Sequence, residues 1–164
     1  MEPAILAPDA SGVGSTTGPE QTRALGRALG RAAVPGTVLA LIGELGAGKT
    51  QLAKGVAEGL GVRSVVNSPT FVLMNEHAGR LRLYHVDAYR LGDPEEAIAA
   101  GLLDDRQAAG VAVVEWADRL EGWLPDGRLE ISLDADGPDP EHRRISWRAF
   151  GDQHRRLAAE ALPA

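Results

Sequence analysis

Two short runs of uninterrupted apolar residues stand out along the chain, Val38-Leu39-Ala40-Leu41-Ile42 and Val111-Ala112-Val113-Val114. Runs of that length without alternation suit strands buried on both faces of a sheet. Helical spacing occurs twice around the first run. Leu25, Ala28, Leu29 and Ala32 form a stripe before it, closed by Pro35-Gly36, and Leu52, Val56, Ala57 and Leu60 form one after it, with Gly61 as a stop. The first of these helices is expected to start near Thr17, with Glu20 completing a capping box. Alternation marks two hairpins. Val72 to His77 and Arg80 to Asp87 are split by Ala78-Gly79, and on the second arm Leu81, Leu83, His85 and Asp87 share one face. Leu129, Ile131 and Leu133 pair with Ile145 and Trp147 around the polar stretch Asp134 to Glu141, a hairpin exposed on one face. Val65-Val66 reads as a short strand, and Asp93-Pro94-Glu95-Glu96 as the start of a helix ending at Gly101. A terminal helix runs from Gln153 to Leu162, after the connection from Trp123 to Asp126. Residues 1–18 are rich in Pro, Gly, Ser, Thr and Ala, with a short strand at Ala4 to Ala7 in an otherwise loose stretch. The expected organisation is a loose tail over 1–16, one α/β domain over 17–151 and a C-terminal helix over 152–164, with no internal repeat or interdomain linker.

Between the first apolar run and the helix after it lies Gly43-Glu44-Leu45-Gly46-Ala47-Gly48-Lys49-Thr50, which matches G-x-x-x-x-G-K-[ST]. Strand, Gly-rich loop and helix is the context in which that motif binds phosphate. Its glycines let backbone N–H groups turn inward as an anion nest at a helix N-terminus. Lys49 adds a cation for β- and γ-phosphates, and the Thr50 hydroxyl suits magnesium. A Gly-rich turn that fits by chance is the bland alternative, and the flanking elements count against it.

Composition narrows the function. The 164 residues are 44% hydrophobic and 24% charged, ordinary for a globular protein that buries roughly 70% of its unfolded surface. The net charge of −6 argues against a stand-alone nucleic-acid binder, but leaves room for RNA as the substrate of a larger assembly. Without Cys there is no disulfide, thiolate nucleophile or Cys-ligated zinc. No apolar run reaches membrane length, and Glu2-Pro3 is no signal-peptide start, so the expected compartment is the cytoplasm.

Hydrolysis or transfer at a phosphate site also requires a carboxylate near the metal and a group to place the nucleophile. Asp87 and Glu115 sit at the ends of predicted strands, where a charge must be solvated, paired or metal-bound. A magnesium or water-handling role is the expectation for both. His85 is read first as a neutral, hydrogen-bonded histidine and only second as a base. Ser68 and Thr70 lie in the loop after the P-loop helix, where nucleotide switches occur, and simple turn chemistry explains them equally well. Trp116 is either a core aromatic or a base-stacking or partner-contacting group. Tyr89-Arg90 reads as a surface pair or as a phosphate-side arginine.

The ordered set Gly-Glu-Leu-Gly-Ala-Gly-Lys-Thr (43–50), Ser-Pro-Thr-Phe (68–71), His-Val-Asp-Ala-Tyr-Arg (85–90) and Val-Glu-Trp-Ala (114–117) resembles the TsaE (formerly YjeE) family, the ATPase of bacterial threonylcarbamoyladenosine (t6A) tRNA modification, over residues 17–150. The resemblance implies a single-domain P-loop NTPase fold with a mixed sheet, flanking helices and antiparallel hairpins. It implies weak, partner-dependent hydrolysis of ATP with Mg2+, alongside TsaD-like and TsaB-like proteins, with tRNA contacted indirectly. It places the nucleotide on Glu44, Leu45, Gly46, Ala47, Gly48, Lys49, Thr50, Gln51 and Trp116, and magnesium on Thr50, Asp87 and Glu115. Asp87, Glu115, Lys49 and Thr70 are the implied catalytic set. Departures are mild: Val86 and Ala88 replace bulkier residues, and Gln51 stands where a second Thr is frequent. Two other classes stay open, a small-molecule kinase using Arg106 or Arg119, and a nucleotide-gated adaptor without significant turnover. A GTPase is disfavoured, because neither Lys is preceded by Asn as N-K-x-D requires, and Asp134 to Gly137 spells D-x-x-G only in a hairpin turn.

Overall fold

The computed structural model describes residues 7–44, 46–64, 66, 74–90, 108–120 and 124–162. Its centre is made by the two apolar runs, which form adjacent parallel strands, β2 (Thr37–Ile42) and β5 (Val111–Glu115). The hairpins add the rest of one sheet. β3 (Met74–His77) and β4 (Leu83–Asp87) are antiparallel, and β4 lies parallel to β5. β6 (Arg128–Ala135) runs parallel to β2 on its other side and turns back into β7 (Arg143–Phe150). With β1 (Ala10–Thr16) on the edge, the strand order is β1-β7-β6-β2-β5-β4-β3. This is the mixed α/β sheet the sequence implies.

Strand β1 corrects the expectation of a loose tail for residues 10–16. All seven of its residues pair with β7, from Ala10 opposite Ala149 to Thr16 opposite Arg143. Small polar residues read as loose, but ladder hydrogen bonds come from the backbone and need no side chain. Gly12 also has a packing reason: a Cβ there would lie 2.6 Å from the Trp147 ring. Of the expected strand at Ala4 to Ala7, only Ala7 is described, and it is not in a strand.

Three described helices cover one face. These are α1 (Pro19–Ala32), α2 (Lys49–Gly59) and α3 (Asp152–Ala161). α1 has Gly18 at its N-cap and no side-chain cap, so the expected Thr17/Glu20 capping box does not form. Instead the Thr17 N–H donates to Gln21 Oε1 at 2.8 Å. Leu29, Leu52, Val56 and Leu60 from the helices meet Leu39, Leu41, Val113 and Ile131 from the sheet in the main core. A smaller core, with Ala40, Val86, Val114 and Leu120, fills the opposite face. Val66 is buried but belongs to no strand. Val65, the loop 67–73, the helix expected over 93–101, and Trp123 lie outside the described residues.

α3 is tied to the strand that leads into the P-loop. The Val38 N–H donates to His154 Nε2 at 2.9 Å, so this imidazole must be neutral at that nitrogen. Burial holds the His154 pKa down at about 4. A folded-state pKa below the unfolded value near 6.5 means that the unfolded chain takes up the extra proton. The stabilisation is therefore present above pH 6.5 and lost as pH falls towards 4. Between pH 7 and pH 5 the protein is expected to lose about 2 kcal/mol of stability through this one group. His154→Gln, which keeps an acceptor but does not titrate, should flatten that part of the profile in urea titrations at the two pH values. An unchanged slope would contradict the assignment.

Candidate functional site

The P-loop forms where β2 ends, because its glycines permit backbone that other residues avoid. Gly46 and Gly48 have φ of 81° and 106°, and Gly48 is the N-cap of α2 with no side-chain cap. The first N–H groups of α2 have no carbonyl partner within the helix and face outward as donors. Lys49, only 4% exposed, donates to the Gly43 and Glu44 carbonyls at 2.6 and 2.7 Å. Burial pushes its ammonium below the usual lysine range, against the opposing pull of Glu115, Asp118 and Asp87. A desolvated cation beside outward-facing amides is a site matched to polyanions.

The two strand-end acids arrive side by side. β4 and β5 are parallel and paired Asp87 to Glu115, so both carboxylates emerge at the same end of the sheet as the P-loop. Both are buried, at 7% and 3% exposure. Glu115 has two distinct jobs. Its Oε1 accepts from the Thr50 hydroxyl at 3.2 Å, and its Oε2 is bound by His85 Nε2. Asp87 is oriented through Oδ1, which accepts the Tyr89 N–H at 3.0 Å. His85, read from sequence first as a neutral, hydrogen-bonded histidine, is fully buried and is bound to Glu115.

Trp116 follows Glu115 in a left-handed conformation, φ 58°, which no other non-glycine among the described residues adopts. Such backbone costs about 1–2 kcal/mol for an L-residue. The turn carries the indole back over the P-loop, where the Lys49 ammonium lies 4.0 Å from its centre. Tyr89 packs on Trp116 with centroids 4.8 Å apart, and the Arg119 guanidinium covers Tyr89 at 4.7 Å. The residues 87–89 and 115–119 thus wall one side of the loop. This use of Arg119 supplies no lid of the kind a kinase needs, and Arg106 is outside the described residues.

One residue of this site gave no signal in the sequence. Arg143, the first residue of β7, donates through Nε to the Ala47 carbonyl at 2.9 Å and through Nη2 to the Gly46 carbonyl at 3.0 Å. By binding the Gly46 and Ala47 carbonyls it ties the loop to the start of β7. It is separated from the loop by about a hundred positions, and nothing local distinguishes it from the chain's other arginines. Arg143, Glu141 and Pro140 also line a cleft of about 140 Å3 against Pro19, Thr22, Gln51 and the loop residues 46–48. Of the sequence-named set, the structure gathers Lys49, Thr50, Glu115, Asp87 and Trp116 around the loop, with Glu44, Gly46, Ala47, Gly48 and Gln51 in it or next to it. Leu45 and Thr70 lie outside the described residues.

The model of the TsaE family, the threonylcarbamoyl adenosine biosynthesis protein, matches residues 16–145. The chain belongs to the TsaE family. A Bacillus subtilis tRNA threonylcarbamoyladenosine biosynthesis protein TsaE is 44% identical over 146 residues, 88% of this chain and 90% of that protein. The TsaE protein of Streptomyces coelicolor is 43% identical over 136 residues, 80% of this chain and 92% of its own. The fold agrees: the crystal structure of Bacillus subtilis YdiB superposes with a TM-score of 0.76 at 37% identity, covering 93% of this chain and 94% of that one. Among the described residues of this TsaE-family chain, no helix is long and apolar enough to cross a membrane.

Proposed function

We propose that this protein is the ATP-hydrolysing member of the machinery that makes t6A on tRNA, acting with TsaB-like and TsaD-like partners in the cytoplasm. The observation that carries the hydrolytic part is the Thr50–Glu115 contact of 3.2 Å beside the buried ammonium of Lys49. Two hard oxygens at the first turn of a P-loop helix fit Mg2+, which takes one or two protein ligands and leaves its other positions to phosphates and water. Thr50 and Glu115 would hold it, with Asp87 as the next carboxylate. Bound there, Mg2+ would neutralise phosphate charge.

The chain's own groups do the rest. The α2 amides and Lys49 bind the phosphates, and Glu115 and Asp87 hold the metal or orient the attacking water. The cleft against Pro19 and Pro140 takes the nucleoside. The family relation and the proteins' shared name support the tRNA role, and the net charge of −6 supports contact with tRNA through partners.

Mg-ATP at about 100 times its dissociation constant should therefore raise stability by roughly 2.7 kcal/mol. ATP should also exceed GTP in this effect, since no guanine-reading segment is present in the sequence. A melting curve unmoved by saturating Mg-ATP would sink the reading, and an equal or larger shift with GTP would overturn the base preference. The deciding experiment is ATP hydrolysis measured alone and with a TsaB–TsaD pair. Slow turnover accelerated by the pair is the expected outcome; binding without turnover in either condition would leave a nucleotide-gated adaptor.

A further inference from the structure

Two buried imidazole nitrogens, His77 Nε2 and His85 Nδ1, have no hydrogen-bond partner among the described residues. They lie on one face of the sheet. In the β3–β4 ladder Asn75 pairs with His85 and His77 with Leu83, so the two histidines are diagonal neighbours on adjacent strands. Each is engaged through its other nitrogen. His77 Nδ1 is 2.7 Å from Ser64 Oγ, in the loop just after α2, and His85 Nε2 binds Glu115 Oε2. Glu115 in turn accepts from Thr50 through Oε1.

Donor and acceptor counting fixes the directions. A carboxylate only accepts, so His85 donates through Nε2–H, and in the neutral ring its Nδ1 is left as an acceptor. That acceptor needs a donor. If Ser64 donates to His77 Nδ1, then the neutral His77 ring carries its proton on Nε2 and reaches His85 Nδ1 through a water. With Ser64 as the donor to Nδ1, the His77 Nε2–H faces the bridging water, which then donates to His85 Nδ1. Burial, with the nearby His85 adding to it, holds the His77 pKa below the usual histidine range and keeps the ring in the neutral form this requires.

We propose that Ser64, His77 and His85 form a directional hydrogen-bond chain that positions the Glu115 carboxylate: Ser64 O–H to His77 Nδ1, His77 Nε2–H across one water to His85 Nδ1, and His85 Nε2–H to Glu115. His85 is then a positioning residue, and the chain links the segment leaving the P-loop helix to the acid that faces Thr50. The catalytic part rests on the reading of Glu115 as a hydrolytic or metal-holding group.

Long-range 1H–15N correlation spectra of the full chain labelled at histidine should show both His77 and His85 as Nε2–H tautomers; an Nδ1–H tautomer for either overturns the chain, whatever the activity. In hydrolysis of Mg-ATP, His85→Leu should lower kcat at least about tenfold while KM moves less than about threefold. His85→Gln, which keeps a donor near the Nε2 position, should return kcat to within about threefold of the parent. His77→Leu should lower kcat by about threefold or more alone, and by nothing further in the His85→Leu background. Unchanged kcat in a folded His85→Leu variant, no rescue by Gln, or additive effects would each overturn the proposal. Should His85→Leu not fold, the tautomers and His77→Leu decide. A parent protein without ATPase activity defeats the hydrolytic reading alone, because the spectra still test the chain.

Discussion

Glu115→Gln is expected to lower ATP hydrolysis by at least about 100-fold, or roughly 2.7 kcal/mol of transition-state stabilisation. The substitution keeps the size of the side chain and its contact with His85, but removes the charge that sits 3.2 Å from the Thr50 hydroxyl. Two outcomes separate its roles. If Glu115 orients water, ATP affinity changes little while kcat falls. If it holds the metal, affinity for Mg-ATP falls too and magnesium-free ATP binding is spared. Asp87→Asn is the matching variant at the neighbouring strand end, and the stronger defect should lie with Glu115, the one in contact with Thr50. Lys49→Ala should act on the ground state, weakening nucleotide binding by about tenfold or more, because it removes a cation already desolvated beside the loop. Stopped assays with and without magnesium, together with titration of a fluorescent ATP analogue, measure all three. Near-normal hydrolysis in both acid variants would remove the carboxylate half of the site and leave the P-loop as a binding element only.

Gly55→Ala is expected to destabilise the fold by about 3 kcal/mol. Helices α1 and α2 cross with their backbones in contact. A Cβ on Gly55 would stand 2.0 Å from the Arg23 carbonyl oxygen, and one on Gly26 would stand 2.3 Å from the Leu52 carbonyl oxygen. Gly30 and Gly59 repeat the relation one turn on, at 2.2 and 2.3 Å from the Val56 and Arg27 oxygens. In a free helix Ala would gain up to about 1 kcal/mol over Gly. Here the obstructing atoms are backbone, which no rotamer change can move, so the clash wins and the helices must separate. Because α2 begins at Lys49, the same displacement should weaken nucleotide binding. Urea unfolding of the variant, read as a lower midpoint at constant m-value, measures the loss. An unchanged midpoint would mean that the crossing tolerates separation without cost.

What the sequence determined by itself was local. The strand, loop and helix of the P-loop, the two buried central strands and both hairpins follow from spacings within about twenty residues, where period and turn chemistry act directly. The motif order was enough to point to the family. The acids were singled out because each ends a predicted strand, a signal that needs no partner. Tertiary structure decided the rest, because it depends on which segments meet. Strand pairing set Asp87 beside Glu115 and brought Glu115 to Thr50. It brought His85 to Glu115 across a diagonal that no linear pattern encodes. It gave the Gly-rich segment 10–16 a place in the sheet through backbone bonds to β7, to which its side chains contribute little. It also brought Arg143 to the P-loop carbonyls and set α1 against α2 at glycines that, read along either helix alone, look only like weak helix formers. Backbone contacts and long-range hydrogen bonds carry no periodicity in the chain, so they become visible only when the fold has closed.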